Sequence, residues 1–143
     1  MCSGDVAVYC TDPSRITEEG LEGFFLGWPE RPSPRVLLRA LSGSYRCVLA
    51  LEPGLPRAIG FVYAVSDGVL SAQIPLLEVL PEYRGRGIGS ELMRRLLADL
   101  EGLYMRDVTC DRDLVAFYER LGMRPRTAMA IRDPEALLGL RAE

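Results

Sequence analysis

The chain reads as a mixed α/β protein. A mostly antiparallel sheet of six to seven strands with one parallel pair is faced by about four helices. Three observations predict it. Short apolar or alternating runs separated by turn residues fill the first half, and Ser66-Asp67-Gly68 between two of them is a hairpin signal. A strand then enters a loop with glycines at 85, 87 and 89, and an amphipathic helix leaves it. After that helix the pattern runs strand, helix, strand, an order that brings parallel pairing into the sheet. The 143 residues suit a single domain spanning 1–143, and neither a repeat nor a linker interrupts them.

The elements follow in order. Residues 5–10 alternate and then run apolar, as a first strand does. Thr17 followed by Glu18 and Glu19 predicts a helix start, with Leu21, Phe24 and Phe25 as its apolar stripe and Gly27-Trp28-Pro29 as its end. Ser33-Pro34 opens a second helix, Ser33 as N-cap and Pro34 in the first helical position, and Gly43 closes it. Strands are expected over 45–51 and 57–65. Another runs over 69–80 and is interrupted by Pro75, which predicts a bulge or local edge there. Ile88, Leu92, Leu96 and Leu100, spaced by four, make the next helix amphipathic, and Gly102 stops it. A strand over 104–110 follows. Asp111 or Asp113 then caps a short helix carrying Phe117, Tyr118 and Leu121, with Gly122 as its left-handed end. Residues 127–131 read as the last strand, and Asp133-Pro134-Glu135 begins a short terminal helix or tail.

Composition narrows the function. The chain has no histidine, which removes Ser-His-Asp and Cys-His catalysis. Cys2, Cys10, Cys47 and Cys110 are scattered without a C-x-x-C pair, so no metal site is expected. All 17 cationic side chains are arginine, and lysine and asparagine are absent too, a bias that a GC-rich bacterial genome would supply. A net charge of −3 argues against nucleic-acid binding. No apolar run reaches the ~18 residues of a membrane span, and the N-terminus has neither the basic nor the apolar part of a signal peptide, so a cytoplasmic location is expected.

The glycine loop carries the chemistry. Glycines let a ligand approach the backbone, and the helix adds free N–H groups and the positive end of its dipole, which suits a phosphate or pyrophosphate. A Walker A loop needs a lysine, and a dinucleotide fingerprint needs its third glycine elsewhere. The pattern that fits is Arg/Gln-x-x-Gly-x-Gly/Ala, filled by Arg84-Gly85-Arg86-Gly87-Ile88-Gly89 after Leu77-Glu78-Val79-Leu80-Pro81-Glu82-Tyr83. It resembles the acyl-CoA pyrophosphate loop of the GNAT superfamily of N-acetyltransferases. Phe117-Tyr118-Glu119-Arg120-Leu121-Gly122-Met123 is similar to that family's Tyr-x-x-x-Gly-Phe segment. The element order is also that of the family's fold.

The resemblance implies acetyl transfer from acetyl-CoA to an amine by direct attack, in a cleft where two neighbouring parallel strands splay apart, here 69–80 and 104–110. It implies that Leu77, Glu78 and Val79 line the pantetheine and thioester. The pyrophosphate would lie on the loop from Arg84 and Gly85 through Arg86, Gly87, Ile88 and Gly89 to Ser90. Tyr118 matches the tyrosine that protonates the leaving thiolate; the alternative is a packing residue on an apolar helix face. The base is open. The glutamate of histone-type members falls on Gln73. The glutamate of amino-terminal acetylating members falls on Arg106, and their asparagine on Asp111, which is counted with the cofactor-binding positions. Glu78 is the remaining candidate, beside a structural role for it or a water chain in its place. Trp28 has a better claim to the acceptor site than Phe24 or Phe25, with a packing role preferred for all three. A homodimer is common among such proteins. A non-catalytic acyl-CoA sensor is the rival reading.

Overall fold

The computed structural model of the chain describes residues 6–140. Five strands form one sheet in sequence order: β1 (Val8–Cys10), β2 (Arg46–Leu51), β3 (Ala58–Ser66), β4 (Ser71–Val79) and β5 (Met105–Val108). The first three pairings are antiparallel and β4 to β5 is parallel. Four α-helices accompany them: α1 (Pro34–Ser42), α2 (Ile88–Asp99), α3 (Val115–Glu119) and α4 (Pro134–Gly139).

β3 is the centre of the sheet, and its residues from Ala58 to Ala64 are all buried. Alternation sends them to two different layers. Gly60 faces α2, so closely that an added Cβ would lie 3.1 Å from Leu92 Cδ1. Phe61 faces the other way, where its ring meets Phe24 at 5.0 Å and Phe25 at 6.2 Å between centroids. α2 seals its layer with Ile88, Leu92, Met93 and Leu96, the stripe that the four-residue spacing predicts. α1 contributes Leu37 and Leu41 to the core and begins as expected, with Ser33 Oγ accepting from Val36 N at 3.2 Å and Pro34 in the first turn.

Two sequence expectations are corrected. The helix expected from Thr17 is a single 3-10 turn, Glu19–Leu21. Beyond it Gly23, Phe25 and Gly27 all take positive φ, at 99°, 68° and 86°, and no helix passes through left-handed residues. Leu21, Phe24 and Phe25 are buried nonetheless, so their apolar pattern belongs to a loop folded onto the sheet. The strand expected over 127–131 does not form. That segment takes no regular structure and is exposed, and among the described residues the sheet holds five strands where six to seven were expected.

Pro75 acts as expected. The β3–β4 register slips by one residue between Tyr63 and Val65, opposite Ile74 and Pro75, as a bulge requires. The β4–β5 ladder also ends there. It runs from Ser71 opposite Met105 to Ile74 opposite Val108, and β4 then continues alone on that side to Val79. A proline has no N–H to give to a ladder, and past it the parallel pair separates.

Candidate active site

The separation of β4 from β5 leaves backbone groups facing a gap. Leu80 N bonds to Ile59 O at 2.9 Å, which fixes the alternation along the end of β4. Glu78 and Leu76 turn their N–H and C=O toward β3, and Leu77 and Val79 turn theirs the opposite way, into the gap. Arg84, just beyond, donates from Nε to Val79 O at 3.1 Å, which ties the start of the glycine loop to the strand end.

The loop itself presents backbone donors. Gly85 and Gly87 take positive φ of 78° and 82°, which glycine adopts without steric cost. Gly87 occupies the N-cap of α2, where it offers no side chain to satisfy the first turn. Among the described residues, none of the six successive N–H groups from Gly85 to Ser90 has an acceptor within the chain; the first claimed is that of Glu91, on Gly87 O at 3.1 Å. A Cβ at Gly85 or Gly87 would meet nothing within 4 Å, so the space above the loop is open. Six N–H donors at a helix N-terminus, with Arg84 and Arg86 beside them, form a cradle of the right chemistry for a pyrophosphate. Arg86 packs over the Tyr83 ring at 5.3 Å, and the Tyr83 hydroxyl bonds to Glu52, so the outer wall of the loop is braced.

α3 closes the far side of the gap. Phe117 packs toward α2 where Gly89 leaves room: an added Cβ at Gly89 would lie 3.7 Å from Phe117 Cζ and 3.8 Å from Val79 Cγ2. Tyr118 stands edge-on to Phe117, with centroids 4.9 Å apart, and is buried, only 7% exposed. Burial pushes its phenol up to about 12, and Cys110 nearby adds to the rise. Its hydroxyl makes no hydrogen bond among the described residues, and its oxygen is not sealed from solvent. It is a protonated donor with its hydrogen bond still to give. Asp111 lies exposed on the turn between β5 and α3, and its side chain caps nothing.

The chain belongs to the acetyltransferase (GNAT) family, whose model matches residues 14–123. Among solved structures, a Deinococcus radiodurans R1 protein assigned as an acetyltransferase superposes with a TM-score of 0.89 at 47% identity, over 94% of each chain. A GNAT family acetyltransferase of Streptococcus pneumoniae TIGR4 superposes at 0.72 with 27% identity, over 89% of this chain and 98% of the other. Among curated relatives, serotonin N-acetyltransferase 2 of rice, a chloroplastic protein, is 35% identical over 121 residues, which is 80% of this chain and 56% of the rice protein. The uncharacterized N-acetyltransferase ycf52 of Porphyra purpurea is 28% identical over 139 residues, 93% and 75% of the two chains.

In this acetyltransferase Glu78 leaves the gap by the other face of the sheet. Its Oε2 accepts from Phe25 N at 2.8 Å, and so holds the left-handed Phe25 against the sheet. Burial raises its carboxyl above the ordinary value, against the opposing pull of the Phe25 N–H and of Arg84 and Arg31. The pinned segment walls a groove of about 220 Å³ together with Glu22, Phe24, Arg31 and Pro32. Arg31 donates to Phe24 O at 2.9 Å, which braces the same wall. Trp28 packs edge-on to Phe25 at 4.9 Å. Sequence reasoning missed this link between the loop and Glu78. Its only trace is three glycines at 20, 23 and 27 inside an apolar stretch, too many for a helix.

Proposed function

We propose that this acetyltransferase moves an acetyl group from acetyl-CoA to a primary amine within a ternary complex. The observation that carries the reading is the run of six N–H groups from Gly85 to Ser90 without an acceptor among the described residues, next to a strand whose parallel partner stops at Val108. The loop, with Arg84 and Arg86, holds the pyrophosphate, and Asp111, exposed on the turn between β5 and α3, is the further polar contact to the cofactor. Leu77 and Val79 pair their free backbone groups with pantetheine amides as an added strand would. An N–H of the same stretch stabilises the oxygen on which charge develops.

Two proton movements complete the reaction. The amine loses a proton to Glu78, whose raised pKa brings it closer to a working base near neutral pH. Tyr118 supplies a proton to the thiolate that leaves, and its elevated pKa keeps that proton in place at any physiological pH. The groove takes the acceptor, and Glu78 reaches its wall through the bond to Phe25 N. No helix among the described residues is long and apolar enough to cross a membrane.

The test is turnover. Purified protein is supplied with acetyl-CoA and a panel of small amines, amino acids and peptide amino-termini, and free thiol is followed. Thiol release dependent on one class of amine is the expected result. Tight acetyl-CoA binding by calorimetry with no release against any amine would instead identify an acyl-CoA sensor.

A further inference from the structure

Tyr118 has a task in the proposed transfer, and a second buried phenol has none. Tyr63 lies on β3, the central strand, and is only 9% exposed. A tyrosine hydroxyl buried this far ordinarily finds a partner. That of Tyr63 makes no hydrogen bond among the described residues, and its oxygen is not sealed from solvent. Burial lifts the phenol above its ordinary value, so it stays neutral and keeps its proton. The ring serves the core, while the hydroxyl serves no contact within the chain.

The register places this hydroxyl beside Glu78. Tyr63 stands opposite Leu76, and Phe61 stands opposite Glu78, so the four side chains share one face of the sheet. Glu78 is therefore the diagonal neighbour of Tyr63. Such neighbours lie about 7–8 Å apart, a span that two long side chains can close from both ends. They do not close it on each other, because Glu78 Oε2 accepts from Phe25 N and the Tyr63 hydroxyl is unpaired. The Tyr63 ring lies nearly parallel to that of Phe61, at 19° with centroids 6.5 Å apart, and Phe61 meets Phe25 at 6.2 Å. A row of rings thus runs from the wall of the groove to Tyr63. Tyr63 is also the last paired residue before the register slip opposite Pro75, the point at which β4 parts from β5.

We propose that Tyr63 is an acceptor-binding residue, whose hydroxyl oxygen accepts an N–H from the same primary amine that gives a proton to Glu78. This rests on the acetyl-transfer reading and deepens it. The amine arrives as an ammonium with three N–H groups. Glu78 takes one proton. The N–H held by Tyr63 stays on the nitrogen and limits its rotation, which orients the lone pair toward the thioester carbon. Tyr63 itself neither gains nor loses a proton.

Tyr63→Phe removes the hydroxyl and keeps the ring against Phe61. The probe is whichever amine of the panel above releases most thiol. Its KM should rise about 3- to 10-fold, the range one neutral hydrogen bond supplies. Acetyl-CoA affinity by calorimetry and the thermal midpoint should stay at parental values, which a packing role alone would not allow together with a raised KM. An unchanged KM for an amine that the parent turns over would overturn the assignment of Tyr63 and leave acetyl transfer standing. A rise in KM accompanied by losses of midpoint and of acetyl-CoA affinity would make Tyr63 a packing residue and overturn it too. No turnover by the parent against any amine would overturn the transfer reading, and this proposal with it.

Discussion

Burial acts on Tyr118 and Glu78 in one direction and, in the proposed mechanism, serves two chemical ends. It disfavours the charged form of each, so the phenol is held as an acid and the carboxylate is made a stronger base. Tyr118→Phe removes only the hydroxyl and leaves the edge-on contact with Phe117, so acetyl-CoA affinity by calorimetry should stay near that of the parent. Turnover should fall by ~10²-fold or more, the lower end of what a positioned proton donor contributes, once chemistry is shown to be the slow step. The profile of kcat against pH should show no alkaline limb from Tyr118 until about 12. In the proposed mechanism Glu78 carries two duties that substitution separates. Glu78→Gln keeps an oxygen to accept from Phe25 N and removes the base. Turnover should drop ~10²- to 10⁴-fold, with the thermal midpoint nearly held, and the acidic limb of the profile should vanish. Glu78→Ala should lose the midpoint as well, because the buried Phe25 N–H then has no acceptor. A Gln variant with parental turnover would make Glu78 an anchor of the Phe25 segment and nothing more.

At the scale of elements, the glycine loop works through backbone conformation. Gly87→Val forces a β-branched residue into a left-handed position, which costs about 1–2 kcal/mol, and puts methyl groups into the open space above the N–H cradle. Acetyl-CoA binding by calorimetry should weaken by at least about tenfold, the equivalent of about 1.4 kcal/mol. Affinity equal to the parent would mean the anion sits elsewhere. This loop was legible in the sequence because glycine spacing, strand lead-in and helix periodicity all state one local geometry. α2 and α1 were legible for the same reason, each with an apolar stripe and a plausible start. The Phe24–Phe25 segment was not, because its apolar pattern is met by a distant carboxylate at Glu78, 53 residues away in the chain. Residues 127–131 have the composition of a strand, but a strand exists only where a neighbour pairs with it, and among the described residues none does. Tyr118 and Glu78 could be named from the resemblance. Their burial, and the face each one points to, needed the fold.

At the scale of the whole molecule, the absence of lysine and histidine makes the pH dependence of stability unusually simple. Arginine stays charged throughout, so between the carboxylates and pH 12 only thiols, phenols and the chain terminus titrate. On the acid side, Asp12 and Asp67 have carboxyls held below their usual value, mainly by hydrogen bonds from Ser14 and from the N–H groups of Val69, Leu70 and Ser71. Their contribution is present above the unfolded value of 3.8 and is lost as pH falls through the lowered folded one. On the alkaline side the sign reverses. Burial raises Cys47 from 9.0 to about 11 and Tyr118 from 10.0 to about 12, and it raises Tyr63 as well. The unfolded chain then loses these protons first, so their contribution is whole below about pH 9 and is lost as pH rises through the folded values near 11 and 12. Urea unfolding across pH should therefore give a plateau from about 6 to 8.5 and a decline that steepens between 9 and 12. Cys47→Ala and Tyr118→Phe, each measured against its own plateau, should shallow that decline. A chain whose stability falls between pH 6 and 8.5 would have a titrating group in its core that neither the cysteines nor the tyrosines supply.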